Sequence, residues 1–148
     1  MAVNARLVAP EVLARASVRV IDGPGGAITF EAPGPVLRMF DEAKAREFYV
    51  GFLGFTWDWE HRFGENFRLY AQVSRAGLRL HLSGHHGDCR PESTVVVLMM
   101  GVHDYQRESA AKDYRYCKPS VEKMPWGDVT SVTDPFGNRI RLTEGQSG

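Results

Sequence analysis

The feature that most constrains this chain is a strand, helix, strand, strand, strand order that the sequence pattern predicts twice. In the first copy, residues 35–40 are predicted as a strand, and Asp41 is well placed as the N-cap of the helix that follows. Gly54 ends this helix because glycine tolerates positive φ. The apolar side chains of the helix follow the i, i+3, i+4, i+7 spacing at Ala45, Phe48, Tyr49 and Phe52. Further strands are predicted at 55–61, 67–74 and 77–83.

The second copy begins after a polar loop at residues 84–93. Residues 94–100 form the most apolar run of the chain, and Asp104 is predicted to cap a helix that extends to Tyr114 or Tyr116. Strands are predicted at 126–133 and 138–143, joined by an Asp-Pro-Phe-Gly-Asn turn, with a weaker strand at 121–124. The sequence therefore predicts an α+β fold made of two tandem βαβββ modules with mixed sheets.

Residues 1–33 differ from the rest and are predicted to form an N-terminal arm. A short helical pattern at 10–16 precedes two short strands at 17–21 and 27–31, which flank a Gly-Pro-Gly-Gly turn. We expect the arm to pack on the main domain or on a partner subunit. The alternative is a loosely attached leader, since disorder concentrates at termini. The main domain is assigned to 34–148, with modules at about 34–84 and 93–144.

Composition excludes several classes of function. The 148 residues carry 18 Lys and Arg against 18 Asp and Glu, so the formal net charge of +0 gives no general attraction to nucleic acid or membrane. No apolar run approaches the roughly 18 to 20 residues of a membrane span. Arg6 and Arg15 interrupt the N-terminal apolar stretches, so no signal peptide is predicted and a cytoplasmic location is expected. Cys89 and Cys117 are predicted as free thiols.

Two sequence strings carry a family resemblance. Residues 41–55, DEAKAREFYVGFLGF, and residues 125–142, PWGDVTSVTDPFGNRIRL, resemble the vicinal oxygen chelate superfamily, which includes glyoxalase I, extradiol dioxygenases, fosfomycin resistance enzymes and bleomycin resistance proteins. The pairing of PWG with DPxGN, after FY-x(3)-LGF, is most similar to the bleomycin resistance branch. The resemblance covers residues 33–144. It implies that two βαβββ modules curve their sheets around an open cup, often completed by exchange between two chains, and we therefore expect a homodimer.

The resemblance also implies where a metal would bind, and the residues at those positions are unsuitable. Superfamily enzymes hold a divalent metal with His and Glu, and the matching positions here are Gly34, the neighbourhood of Val95, and Arg141. Only His81 has a ligating side chain at such a position. One ligand of four does not hold a catalytic metal, and a register shift of one residue restores none. We predict no metal, no cofactor and no catalytic residue, as in the bleomycin resistance branch.

Strand parity predicts what lines the cup. Successive side chains of a strand point to opposite faces, so Arg79 and His81 share one face of their strand, and Arg139 and Arg141 share one face of theirs. A solvated sheet face is the alternative reading. In the bleomycin resistance branch the Trp of PWG stacks on the drug, a role that the resemblance assigns to Trp126. The parity also places Trp57 and Trp59 on one face as candidate ligand-binding residues, with plain packing as the alternative.

The leading hypothesis is a metal-free protein that sequesters a planar polar small molecule, as in bleomycin-type antibiotic resistance. Trp126 would stack on this molecule, while His81, Arg79 and Arg141 would fix its polar groups. Because Arg suits carboxylate or phosphate, the ligand is expected to be anionic or zwitterionic. Two alternatives stay open, namely a metal-dependent lyase, dioxygenase or thiol transferase of the same superfamily, and a structural or regulatory dimer without a ligand.

A second metal-site hypothesis concerns the loop after residue 84. His85, His86, Asp88 and Cys89 have side chains of the types that ligate zinc or copper. Their spacing matches no common zinc motif, and Gly84 and Gly87 are typical of a mobile loop. A solvated loop is therefore the preferred interpretation.

Overall fold

A computed structural model describes residues 27–62, 64–65 and 68–146. The elements, in chain order, are strand β1 (Val36–Arg38), helix α1 (Glu42–Arg46), a π-helical segment (Glu47–Phe52), strands β2 (Thr56–Arg62), β3 (Leu69–Arg75), β4 (Leu78–Ser83) and β5 (Thr94–Leu98), helix α2 (Val102–Ala111), and strands β6 (Val121–Met124), β7 (Gly127–Thr133) and β8 (Arg139–Gly145). None of the described helices is long and apolar enough to cross a membrane.

The strands form two four-stranded sheets with the same topology. Sheet 1 has the order β1-β4-β3-β2 and sheet 2 has the order β5-β8-β7-β6. In each sheet the first strand is parallel to the fourth, and the other pairs are antiparallel. The predicted α+β fold of two βαβββ modules is confirmed, including the weakly predicted strand at 121–124.

The core lies between the helices and one face of each sheet. Leu37, Leu80 and Leu82 of sheet 1 are at most 1% exposed, and Ile140 and Leu142 are buried at the equivalent places of sheet 2. The π-helical segment contributes its three aromatic side chains, which are also buried: Phe48, Tyr49 and Phe52. This segment carries the apolar spacing that predicted the helix, so the sequence pattern identified the right face although the final turns are wider than an α-helix.

The two modules are joined at the turn between β7 and β8. The Asp134 side chain is buried and accepts hydrogen bonds from the Tyr49 hydroxyl at 2.6 Å, from the backbone N–H of Phe136 and Asn138, and from Asn138 Nδ2. The same Asn138 amide donates to the Arg38 carbonyl at 2.7 Å. A turn in module 2 thereby binds both the helix and the first strand of module 1.

A second set of contacts satisfies the carbonyl groups at the end of the π-helical segment. Helix ends leave such acceptors without partners within the helix. The Tyr105 hydroxyl and Arg75 Nη1 both donate to the Leu53 carbonyl, and Lys112 Nζ donates to the Phe52 carbonyl. Tyr105 and Lys112 belong to module 2, so closing this helix end also holds the modules together.

Three local predictions are wrong. The second helix does not extend to Tyr114 or Tyr116, because α2 ends at Ala111. Asp104 does not cap α2, because the helix begins at Val102 with Gly101 as its N-cap at φ 86°, and Asp104 lies in the first turn. Residues 27–31 are not a strand but exposed irregular backbone. The predicted helix at 10–16 and strand at 17–21 lie outside the described residues.

Replacing Tyr49 with Phe tests the module junction. The substitution removes one hydrogen bond to a buried carboxylate, so we expect the free energy of unfolding to fall by about 1–3 kcal/mol. Tyr114→Phe is the matched control, because its hydroxyl bonds to exposed Glu47. Urea denaturation of both variants measures the difference. Equal effects would show that the buried carboxylate does not depend on Tyr49.

Candidate functional site

One face of sheet 1 is turned away from the helices and carries polar and aromatic side chains. Strand register aligns them in three rows across the sheet. We call this surface the open face of sheet 1. Its rows are Arg79, Ser74 and Thr56; then Val36, His81, Gln72 and Trp59; then Arg38, Ser83, Tyr70 and His61.

A β-bulge in β2 decides which tryptophan reaches this face. The register with β3 shifts between Trp57 and Trp59, so that Trp57 pairs with Val73 and Trp59 pairs with Gln72. An extra residue in one strand changes the alternation of faces beyond it. The prediction that both tryptophans share a face is therefore wrong. Trp59 lies on the open face, whereas Trp57 packs against the core with the Arg46 guanidinium 4.0 Å from its ring centroid.

A chain of hydrogen bonds crosses the open face from β4 to β2. The Tyr70 hydroxyl lies 2.6 Å from His81 Nδ1, and His81 Nε2 lies 3.1 Å from Gln72 Oε1. Gln72 Nε2 then donates to one oxygen of Asp58, and the Ser74 hydroxyl donates to the other, each at 3.0 Å. Each of these hydrogen bonds therefore joins side chains on two neighbouring strands.

The protonation states of Tyr70 and His81 decide which group donates and which accepts in these hydrogen bonds. Burial, with the nearby charges of Asp88 and Cys89, raises the pKa of Tyr70, so its hydroxyl stays protonated and donates to Nδ1 of the imidazole. The remaining ring proton is then on Nε2 and is donated to the Gln72 oxygen. Burial first, and then Arg79, lower the pKa of His81, with a smaller opposing contribution from Asp88. The imidazole is therefore neutral at pH 7.

The aromatic rings around His81 are held in a fixed frame. Trp59 is stacked on Tyr70 at a centroid separation of 6.0 Å, and the imidazole of His81 stands edge-on to both rings, at 5.5 Å and 5.3 Å. Such geometries suit the charge distribution of aromatic rings. Both ring nitrogens of His81 are engaged with the protein, so the imidazole positions its neighbours. Exposed Arg79, in the next row, presents a guanidinium on the same surface.

Sheet 2 has a row of residues that corresponds to the His81 row of sheet 1. Arg141 aligns with Val96 and Ser131, as His81 aligns with Val36 and Gln72 in sheet 1. Trp126 lies in the turn between β6 and β7 and is 63% exposed. Within the part of the chain that the structure describes, no hydrogen bond, ion pair or ring contact connects Arg141 or Trp126 to the open face of sheet 1.

The residues at the superfamily's metal positions do not fit a metal ion. Gly34 is adjacent to His81, since a Cβ built on it would lie 3.9 Å from His81 Nε2, but glycine has no ligating side chain. The matching row of sheet 2 offers Val96 and Arg141, and a guanidinium repels a cation. Among the described residues, no group of three or more His, Cys, Asp or Glu side chains is arranged to hold a metal, the loop with His85 and Cys89 included.

Sequence reasoning missed the roles of Tyr70, Gln72 and Asp58. An aromatic residue such as Tyr70 in a strand is typical of ordinary packing, and the polar side chains of β3 alternate with buried ones, which by itself indicates only a solvated face. The one available signal was Asp58 between two tryptophans, because a charged residue inside an alternating aromatic strand is compatible with a bulge. Tyr70, Gln72 and Asp58 join one hydrogen-bond chain because of the register between strands.

The chain belongs to the glyoxalase superfamily. The family described as "Glyoxalase superfamily protein" matches residues 20–148. Among solved structures, the chain is similar to the bleomycin-binding protein from bleomycin-producing Streptomyces verticillus complexed with copper(II)-bleomycin, with 25% identity, a TM-score of 0.62, and coverage of 81% of this chain and 100% of that one. None of the curated proteins matches significantly.

Two further structures show the same fold at lower identity. A bleomycin-binding protein complexed with bleomycin is 19% identical, with a TM-score of 0.62 over 79% of this chain and 100% of that chain. TnmS3, an antibiotic binding protein from Streptomyces sp. CB03234, is 19% identical, with a TM-score of 0.61 over 81% of this chain and 100% of that chain. The predicted resemblance to the glyoxalase and bleomycin resistance superfamily is thus confirmed.

The lowered pKa of His81 predicts how stability depends on pH. Between the folded pKa and the usual value near 6.5, the unfolded chain binds a proton that the folded chain does not. The free energy of unfolding should therefore fall as the pH drops below about 6.5. His81→Gln should make this decrease smaller, measured by urea denaturation at pH 7.5 and 5.5. An NMR titration that placed the His81 pKa above 6.5 would contradict the assignment.

Proposed function

We propose that this protein binds and sequesters a planar, polar small molecule without transforming it. The observation that carries the proposal is the open face of sheet 1, where a continuous hydrogen-bond chain fixes aromatic rings beside the exposed Arg79. A rigid face of this kind suits binding, because little conformational entropy is lost when a flat ligand stacks on it. The bleomycin-binding and antibiotic-binding proteins among the similar structures support the same conclusion.

The chemistry of the face defines the ligand class. Trp59 offers a flat ring for stacking, and Arg79 offers a planar fork that binds carboxylate or phosphate oxygens. Both nitrogens of His81 are occupied, so the imidazole acts by fixing Tyr70 and Gln72 and has no ring nitrogen left to hydrogen-bond the ligand. The ligand is accordingly an aromatic compound with anionic or zwitterionic substituents, since the Arg79 guanidinium repels cationic groups.

A second copy of the chain completes the proposed site. Val96, Leu98 and Met100 alternate along and beyond edge strand β5, and they are 60%, 78% and 90% exposed. An apolar stripe on a free sheet edge is normally covered. If sheet 2 of a partner subunit faces sheet 1, the stripe is buried and the partner contributes its Trp126 and Arg141 to the cup. The proposed active unit is therefore a homodimer.

Ligand binding is tested by titrating the protein with bleomycin and with anionic aromatic compounds, using calorimetry and tryptophan fluorescence. Trp59→Leu, Trp126→Ala and Arg79→Gln should each weaken binding of a recognised compound about tenfold, which corresponds to roughly 1.4 kcal/mol. Trp57→Phe is the matched control, since Trp57 lies on the opposite face of the same strand, and should change affinity less than about twofold.

The outcome also separates sequestration from catalysis. A sequestered compound is recovered unchanged by mass spectrometry after prolonged incubation with the protein. Recovery of a modified compound would instead favour a superfamily enzyme. Absence of binding by every compound, from protein shown to be folded, would contradict the proposal.

The homodimer is tested by Leu98→Asp. A charge in the apolar stripe should convert a dimer into a monomer, because desolvating an unpaired carboxylate in an interface is costly. Molar mass from light scattering after size exclusion measures the change. Val50→Asp, an exposed apolar residue on the π-helical segment, is the control and should remain dimeric. A monomeric wild-type protein would refute the proposed assembly.

A further inference from the structure

A small basic pocket lies where β1 ends and α1 begins. Its volume is about 160 Å³, and three arginines from different segments line it, namely Arg38, Arg62 and Arg68. Arg38 ends β1, Arg62 ends β2, and Arg68 immediately precedes β3, so the sheet topology gathers them at one end of sheet 1. We propose that this pocket binds a phosphate group, either as the free ion or as a phosphate monoester.

The first support is an unpaired buried donor. Nη1 of Arg38 is inaccessible to solvent and has no hydrogen-bond partner, while the guanidinium carbon lies 5.1 Å from the centroid of the Phe40 ring. Leaving a charged donor buried without an acceptor is costly, so such atoms are rare in native structures and commonly mark the place of a bound ion or water. An oxyanion in the pocket would supply the missing acceptor once the half-buried Arg38 side chain turns its guanidinium toward it.

The second support is the balance of charge around the pocket. Two carboxylates also line it, Asp41 and Glu42, but both are already engaged. Asp41 accepts the Lys44 N–H at the start of α1, and Glu42 pairs with Arg46 and Arg62. Within the described residues, neither Arg38 nor Arg68 forms an ion pair. Two guanidinium groups therefore line the pocket without a carboxylate partner.

A third carboxylate lies near this end of the sheet. Asp88 acts electrostatically on the same His85 and Cys89 side chains as Arg38, but it forms no ion pair with Arg38. Its Oδ2 is buried without a hydrogen-bond partner, so Asp88 leaves the hydrogen-bonding groups of the pocket arginines unoccupied. An anion in the pocket would therefore meet the guanidinium groups of Arg38 and Arg68.

The shape of the pocket suits a tetrahedral oxyanion. Arginine presents parallel N–H groups that match phosphate oxygens two at a time, and a phosphate accepts such pairs from more than one direction. Gly84 brings the loop after β4 against the start of β3, because a Cβ there would lie 3.0 Å from Arg68 Cβ. This close approach closes the side of the pocket next to Arg68. Arg38 also belongs to the open face, but Arg62 and Arg68 lie outside its rows, so the proposal does not rest on the function proposed for that face.

The experiment is a titration of the full-length protein with inorganic phosphate and with phenyl phosphate at constant ionic strength. Calorimetry gives the affinity, and thermal unfolding gives the ligand-dependent rise in Tm, since a ligand that binds only the folded state stabilises it. Arg38→Gln should weaken phosphate binding at least tenfold, and Arg68→Gln about threefold to tenfold. Arg107→Gln, an exposed arginine of α2, is the control and should leave affinity within twofold.

Folding of the variants is checked without phosphate. Arg38→Gln removes an unpaired charged donor, so its Tm without phosphate should be no lower than that of the wild type, while the rise in Tm on adding phosphate is lost. Tighter binding of phenyl phosphate than of phosphate would identify an organic monoester as the ligand, and equal or weaker binding would identify the free ion. No saturable binding of either compound, or equal weakening in Arg107→Gln, would overturn the proposal.

Discussion

The buried carboxylate of Asp134 is the interaction on which the rest of the structure depends. It accepts two backbone N–H groups and one side-chain amide within its own turn, and a hydroxyl from Tyr49 in the other module. Burial raises its pKa, and the hydrogen bonds partly compensate this cost. Because Asn138 of the same turn donates to the Arg38 carbonyl, a single turn sets the position of module 2 against both β1 and the helix of module 1.

With the modules fixed, a single extra residue in β2 defines the candidate site. The bulge next to Asp58 places Trp59 on the open face and leaves Trp57 in the core, and it aims the Asp58 carboxylate at Gln72 and Ser74. The hydrogen-bond chain from Tyr70 through His81 then ends on that carboxylate. At a position that corresponds to a metal ligand in superfamily enzymes, His81 instead forms hydrogen bonds with Tyr70 and Gln72.

Most of the fold could be predicted from the sequence, and less of the site. The helix at Asp41 and the order of strands follow from local periodicity, which depends on neighbours three or four residues apart. The start of α2 could not be predicted in this way. Asp104 is the residue type preferred at an N-cap, but the N-cap is Gly101, which has a left-handed backbone conformation. The roles of Tyr70 and Gln72 depend on register between strands, which periodicity does not encode.

The sequence by itself determined the superfamily, the two-module topology and the lack of metal-ligating side chains at Gly34 and Arg141, because these are properties of residue type and order. Only the tertiary structure decided which tryptophan lies on the open face of sheet 1, that both nitrogens of His81 are engaged, and that three arginines distant in sequence share one pocket. Those facts follow from strand pairing and from a bulge, which bring together side chains that local sequence leaves unrelated.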